Sequence, residues 1–266
     1  MEKRGYILKL GVSYNVWDGE ELLEYSIKSI RENVDYISVV YQSVSNFGVP
    51  CNEGLVPLLN KLKEVGLIDE VVEYVVEPKH CSINELNKRN VGVELSIKNC
   101  CTHHMSMDTD EFYLNDEFKY MKKVLIEGNY DSSACQTVIY YKNSEYRVEP
   151  CETMYVPLIN KIDNGQKFEF FRGYPVLADP TRQMKPGNLK TFTRNEIQMH
   201  HMSHVRKNIR AKYENSSARQ NFGNKIDGWV EHYENWTLQP NSRFPGNPKD
   251  YAIIKTDKLF DIGNCY

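Results

Sequence analysis

No stretch of this 266-residue chain approaches the ~20 consecutive apolar residues that cross a bilayer, so no transmembrane segment is expected. The opening MEKRGYILKLGVSYN is charged, and its apolar run is too short for a secretory signal. A surplus of one charge is also missing. The formal net charge of −3 gives no pull toward nucleic acid or acidic lipid. Cysteine is sparse and unpatterned. There are seven, an odd number at irregular spacing, which reads as reduced thiols in a cytoplasmic setting. NCCTHH crowds Cys100, Cys101, His103 and His104 together, but the C-x₂-C and H-x₃-H spacings of tetrahedral zinc are absent. The first strand is not followed by a glycine-rich basic loop, and no repeat or low-complexity tract is visible.

What is present is alternation. Tyr6 to Tyr14 is apolar with β-branched members and predicts a strand. Asp18 with Glu21 three residues on has the form of a capping box, and Leu22, Leu23, Ile27 and Ile30 fall on one helical face. Tyr36 to Gln42 predicts a second strand, and Asn52 to Gly66 a second helix. Asp69 to Val76 predicts a third strand. Ser82 with Glu85 marks a third helix, SINELNKRNVGVELSIKN. Thr102 to Met107 predicts a fourth strand ending in Asp108, with a helix from about Asp116 to Glu127 after it. Four strand–helix repeats imply a mostly parallel sheet with helices on both faces. The expected fold class is therefore α/β, with ligands outside the carboxyl ends of the strands. After Ser132 the stretches SACQTVIYY, EYRVE, ETMYVPLINKI and YPVLA predict strands without helices between them, paired antiparallel. Residues 204 to 216, HVRKNIRAKYENS, predict a basic helix. One continuous domain is expected, with residues 1–130 and 131–266 as its two halves.

The string HHMSMDTDEFYLND puts Asp108, Asp110 and Glu111 directly after a buried strand. On an extended segment, residues i and i+2 point the same way. Two carboxylates would then face one point, a site for Mg²⁺ or Mn²⁺ with positions left for phosphate oxygens. The bland reading is a solvated turn before a helix.

Three stretches, in order, resemble GT-A glycosyltransferases, especially family 2-like enzymes. They are NVWDGEELLEYSIKSI after the first strand, LNKRNVGVELS at residues 86 to 96, and MDTDEF at residues 107 to 112. They lie within roughly residues 6 to 130, about half the chain. The resemblance implies a GT-A mixed sheet with a C-terminal acceptor-side extension, and transfer of a sugar from a UDP- or GDP-sugar to a glycan or lipid-linked acceptor. It implies that Asp108 meets the ribose or the metal through water, that Asp110 is the direct metal ligand, that Lys88, Arg89 and Asn90 lie near the donor, and that Asn15 faces the nucleoside. The family's acid after the second strand is missing from QSVSNFG, where Ser43, Ser45 and Asn46 stand instead.

Such enzymes often complete the metal site with a histidine from the C-terminal part. His200, His201 and His204 match that position; His201 and His204 are preferred, and the basic run from Arg206 to Lys212 has the charge to clamp a diphosphate. The resemblance also implies inversion by a single displacement, which needs a carboxylate base from the second half. Asp179 and Glu152 lead, ahead of Glu149 and Asp163. Two other readings stay open: a nucleotidyltransferase, which would be expected to carry the missing glycine-rich loop, and a carbohydrate-binding domain without activity.

Overall fold

The computed structural model describes residues 8–162, 165–245 and 251–263. Its order opens β1 (Leu10–Val16), α1 (Glu20–Ile30), β2 (Tyr36–Tyr41), α2 (Leu55–Glu64), β3 (Glu70–Glu73), α3 (Cys81–Lys98), β4 (His103–Asp108), β5 (Glu111–Phe112) and α4 (Asn115–Gly128). There follow β6 (Ser132–Tyr141), β7 (Asn143–Glu149), β8 (Tyr155–Lys161), β9 (Leu189–Thr191), β10 (Gln198–His204), α5 (Ile209–Asn215), α6 (Arg219–Phe222), α7 (Ile226–Asn235), β11 (Ser242–Arg243) and β12 (Ala252–Lys255).

The strands form one mixed sheet, β11-β12-β7-β6-β8-β4-β1-β2-β3, with β5, β9 and β10 off that path. β3, β2, β1 and β4 are parallel. The expected α/β class, parallel in its N-terminal half, is what the chain adopts. β8 runs antiparallel to both β4 and β6, and β6 pairs antiparallel with β7 but parallel with β9 and β10.

Strand alternation distributes the helices. In β2, Ile37 and Val39 enter one core with Leu23 and Ile27 of α1, Leu59 of α2 and Met121 of α4. Tyr36 and Val40 enter another with Val93 of α3. So α1, α2 and α4 cover one face and α3 the other. The chain leaves β3, crosses by α3 and re-enters beside β1 as β4. Strand order reverses there, between β1 and β4, the usual crevice for a ligand. α3 sits close because glycine allows it. A Cβ on Gly92 would lie 2.2 Å from the Ser13 hydroxyl, and one on Gly11 2.3 Å from that of Ser96.

Several local expectations change. Tyr6 and Ile7 lie outside the described residues; the strand begins at Leu10. The Asp18–Glu21 capping box does not form. The chain enters α1 through left-handed Gly19, and Glu21 instead accepts a hydrogen bond from the Lys207 backbone N–H at 3.1 Å. α3 is capped by the His80 ring, which accepts from Ser82 N–H, while Glu85 turns inward to Arg89. YPVLA forms only an isolated bridge, Tyr155 to Ala178. The predicted helix over 204–216 starts later: residues 198–204 are strand β10, and α5 begins after Asn208, whose side chain accepts from Ala211 N–H. Six cysteines in the described residues are free thiols; Cys265 lies outside them.

Candidate active site

Asp108 closes β4 beside Asn15 of β1, its register partner, so both stand at the crevice. Asp108 is gripped from two sides. Arg89 of α3, wholly buried, donates to Ser106 Oγ at 2.7 Å, to Glu85 at 2.8 Å and to Asp108 Oδ1 at 3.3 Å. Arg182 donates to Asp108 Oδ2 at 2.5 Å. The same guanidinium forks onto Glu111, with Nη1 3.0 Å from Oε2 and Nη2 on Oε1. Planar bidentate pairing of this kind is a strong charge-assisted contact. Burial alone would raise the Asp108 carboxyl; Arg182 and Arg89 outweigh it and hold it well below the usual range.

Thr109 and Asp110 form a turn, not an extended step. The i, i+2 argument therefore fails, and the two aspartates meet different partners. Asp110 is fully buried. Its Oδ2 accepts from Arg206 at 2.5 Å and Lys212 at 2.8 Å. Against the cost of burial, Lys212, Arg206 and His201 keep its carboxyl well below its ordinary value.

β10 decides which histidine arrives. Its strand period puts neighbours on opposite faces. His201 pairs in register with Glu111, and its Nε2 lies 3.5 Å from Asp110 Oδ1. His200 faces away, its Nδ1 2.9 Å from the Tyr140 hydroxyl. His204 also faces away, its Nδ1 2.9 Å from the Tyr213 hydroxyl amid Tyr141 and Phe244; burial pulls its pKa to about 3. The expectation that His204 joins the metal set is corrected: it closes strand β10, whose alternation turns it away from the face on which His201 meets Asp110.

A divalent ion has a partial fit. Among the described residues no three His, Cys, Asp or Glu side chains form a ready cage. Asp110 Oδ1, however, is buried and receives no hydrogen bond, and it faces the His201 imidazole. Mg²⁺ and Mn²⁺ favour carboxylate oxygens, one or two of them completed by substrate phosphate, and a neutral imidazole is a common ligand for transition ions. Asp110 and His201 suit that role; Asp108, with both oxygens on guanidinium groups, does not offer an open edge.

The remaining sequence candidates separate. Asn15 donates to Ser106 Oγ at 2.9 Å, and its buried Oδ1 has no partner. Lys88 is buried and donates to Gln42 Oε1 at 2.6 Å; desolvation, against the pull of Glu85 and Asp108, lowers its pKa to about 8. Ser43 is exposed at the end of β2, and no contact joins it to the carboxylates. Asn90 points elsewhere, exchanging hydrogen bonds with the Phe168 backbone at 2.7 and 3.0 Å. Successive helical residues diverge by about 100°, so Lys88, Arg89 and Asn90 cannot share one target. Gln42 closes the predicted strand Tyr36 to Gln42, at an end where ligands are expected, whereas Arg182 was not singled out from the sequence. Arg182 ends the Asp179-capped turn in LADPTRQ, and that cap was its only local signal.

A cavity of about 370 Å³ opens beside Asp108, Glu111, Arg182 and His201, and both Asp179 and Glu152 line it. Asp179 Oδ1 accepts from Thr181 N–H at 2.8 Å and from its hydroxyl at 2.9 Å. Glu149 lies outside, paired with Arg147 at 2.9 Å, and Asp163 is outside the described residues. A larger cavity, about 570 Å³ between Trp17, Asn52 and Asn208, also reaches Arg206 but none of the acidic cluster.

No family profile and no curated protein matches this chain by sequence. Among solved structures it is similar to S. aureus TarS, at 10% identity and a TM-score of 0.48 over 86% of this chain and 44% of that one. It is similar to TarS 1–349 in complex with UDP, at 10% identity and 0.48 over 86% and 76%. It is also similar to the mannosyltransferase PcManGT from Pyrobaculum calidifontis in complex with GDP-Man and Mn²⁺, at 12% identity and 0.36 over 50% and 36%. The chain spans less than half the length of the full TarS chain it matches.

Proposed function

We propose that the chain is a glycosyltransferase that moves a sugar from a UDP- or GDP-sugar to a hydroxyl acceptor. One observation carries this reading. Where strand order reverses, the turn Asp108–Glu111, the His201 imidazole and the cations Arg89, Arg182, Arg206 and Lys212 meet beside a cavity holding two more carboxylates. Arg206 and Lys212, two cations on the single Asp110 carboxylate, suit a diphosphate, whose charge they can offset with little reorganisation.

In this reading Asn15 and the Gln42–Lys88 pair lie toward the nucleoside, and Asp108, fixed by Arg89 and Arg182, faces the ribose. Mn²⁺ or Mg²⁺ would be held by Asp110 and His201 and would offset charge on the departing diphosphate. Asp179 is the first candidate for the base, because Thr181 already fixes its carboxylate; Glu152 is the second. The base takes the acceptor's hydroxyl proton as that oxygen attacks the sugar C1 and the nucleoside diphosphate leaves.

Calorimetry with UDP and GDP, with and without Mn²⁺, tests the reading. Binding of one of them is expected, tightened at least tenfold by Mn²⁺, with that gain lost in His201→Gln. No binding of either nucleotide would sink the proposal; a Mn²⁺ gain surviving in His201→Gln would remove His201 from the metal site.

A further inference from the structure

The cavity beside the carboxylates says something about the acceptor. Above its charged floor the wall is aliphatic and thioether: Ile139 of β6, Val156 of β8, Met199 of β10, and Met154 just before β8. Tyr155 is the one phenol, phenyl or indole ring among its lining residues, and the other ring, the His201 imidazole, faces Asp110, so stacking platforms for a run of sugars are not supplied. The apolar surface continues outward. Met154 is 40% exposed and Leu177 68%. The Leu177 carbonyl accepts from Tyr155 N–H at 2.8 Å, which places that leucine's backbone beside the lining residue Tyr155. An exposed apolar rim continuous with an apolar wall commonly marks a binding surface, and methionine adapts its shape to irregular guests.

The charges constrain the other end. Four carboxylates, Asp108, Glu111, Glu152 and Asp179, line this cavity with a single guanidinium, Arg182. Arg182 is committed to Asp108 and Glu111. Glu152 has no side-chain ion pair among the described residues, and Asp179 is 4.0 Å from Arg182 Nε. Arg194 stands behind the lining, its guanidinium donating to the Thr137 and Glu152 carbonyls, and no cation among the lining residues is left over to face these two acids, so a phosphate-bearing head meets a repulsion that selects against it.

We propose that the acceptor is an amphiphile: a hydroxyl-bearing head that is neutral or cationic, joined to an apolar body that lies on the Ile139–Met154–Met199 wall. This rests on the glycosyltransferase reading. The cavity's volume of about 370 Å³ suits one head group and the first few methylenes, at the small end of ligand pockets.

The test is calorimetric titration of the protein, loaded with whichever of UDP and GDP binds, with methyl β-D-glucoside, n-octyl β-D-glucoside below its micelle concentration, and n-octyl phosphate. Each methylene withdrawn from water strengthens binding about fourfold, so the octyl glucoside is expected to bind at least tenfold tighter than the methyl compound. n-Octyl phosphate is expected not to bind until Glu152→Gln and Asp179→Asn are combined. Met154→Gln, a change at an exposed position, should cut the octyl preference several-fold and leave the methyl glucoside unchanged. Equal binding of the two glucosides, no binding of the octyl compound, an octyl preference untouched by Met154→Gln, or octyl phosphate binding to the unaltered protein would each overturn the inference. Failure of both UDP and GDP to bind would instead strike the glycosyltransferase reading and take the inference with it.

Discussion

Asp110 is a buried carboxylate whose neighbours make it stable only while they are present. Arg206 and Lys212 both rest on its Oδ2, so Asp110→Ala strands two cations in the interior. Breaking one side of a buried pair typically costs about 3–5 kcal/mol, and urea unfolding of Asp110→Ala should show a loss of that order. His201→Gln is a cleaner probe of metal binding. The side chain is 28% exposed and its removal strands no buried charge, so its unfolding free energy should stay within about 1 kcal/mol of the parent's. Acid sensitivity follows from the same groups. Asp108 and Asp110 have folded pKa values depressed below their ordinary ones. Their contribution is complete above the unfolded pKa, about 3.9, and drains away as pH falls below it toward the folded values. Circular dichroism in urea should therefore show stability falling steeply below about pH 4, and less steeply in Asp110→Ala. Asp108 and Asp110 were legible as a pair after a strand. Arg182, Arg206 and Lys212 as their separate partners were not, because a turn at Thr109 and Asp110 is invisible to a rule that assumes extended chain.

At the scale of elements, α3 matters most, since it carries Lys88 and Arg89 to the crevice. Its approach to β1 depends on Gly92 and Gly11. Gly92→Val should push α3 off Ser13 at a cost of about 1–3 kcal/mol, the usual penalty of overpacking, and weaken nucleotide binding along with it. Urea unfolding and calorimetry on one preparation would show both losses, and a variant that lost stability but kept full affinity would contradict the link. The parallel strands and α1, α3 and α4 could be read from the sequence because their apolar periods are local. Their caps could not. The entry to α1 is set by Gly19, where a Cβ would meet Arg206 Nη1 at 1.8 Å, a contact between residues far apart in sequence. β10 was not legible for a related reason. MHHMSH has no decisive period, and what makes it a strand is pairing with β5 and β6.

For the molecule as a whole, the two expected halves do not divide the site. Asp108, Asp110 and Glu111 lie in the first; Arg182, Arg206 and Lys212, which neutralise them, lie in the second. β4 also loses its partner β8 if the halves are parted. Residues 1–130 expressed alone should therefore lack a cooperative thermal transition, a result that calorimetric melting checks directly. A sharp melt from that fragment would mean the parallel strands stand by themselves. Fold class and the position of the acidic turn came from local pattern, while the counter-charges came from sequence separations of 71 to 102 residues, which no single-sequence rule reaches. For protein engineering this wiring sets the size of the movable part. A loop transplant of residues 107 to 112 into another sheet would import three acids with no host bases to receive them. The smallest graft with a chance of working must bring the stretch that runs through Arg182 to Lys212 as well.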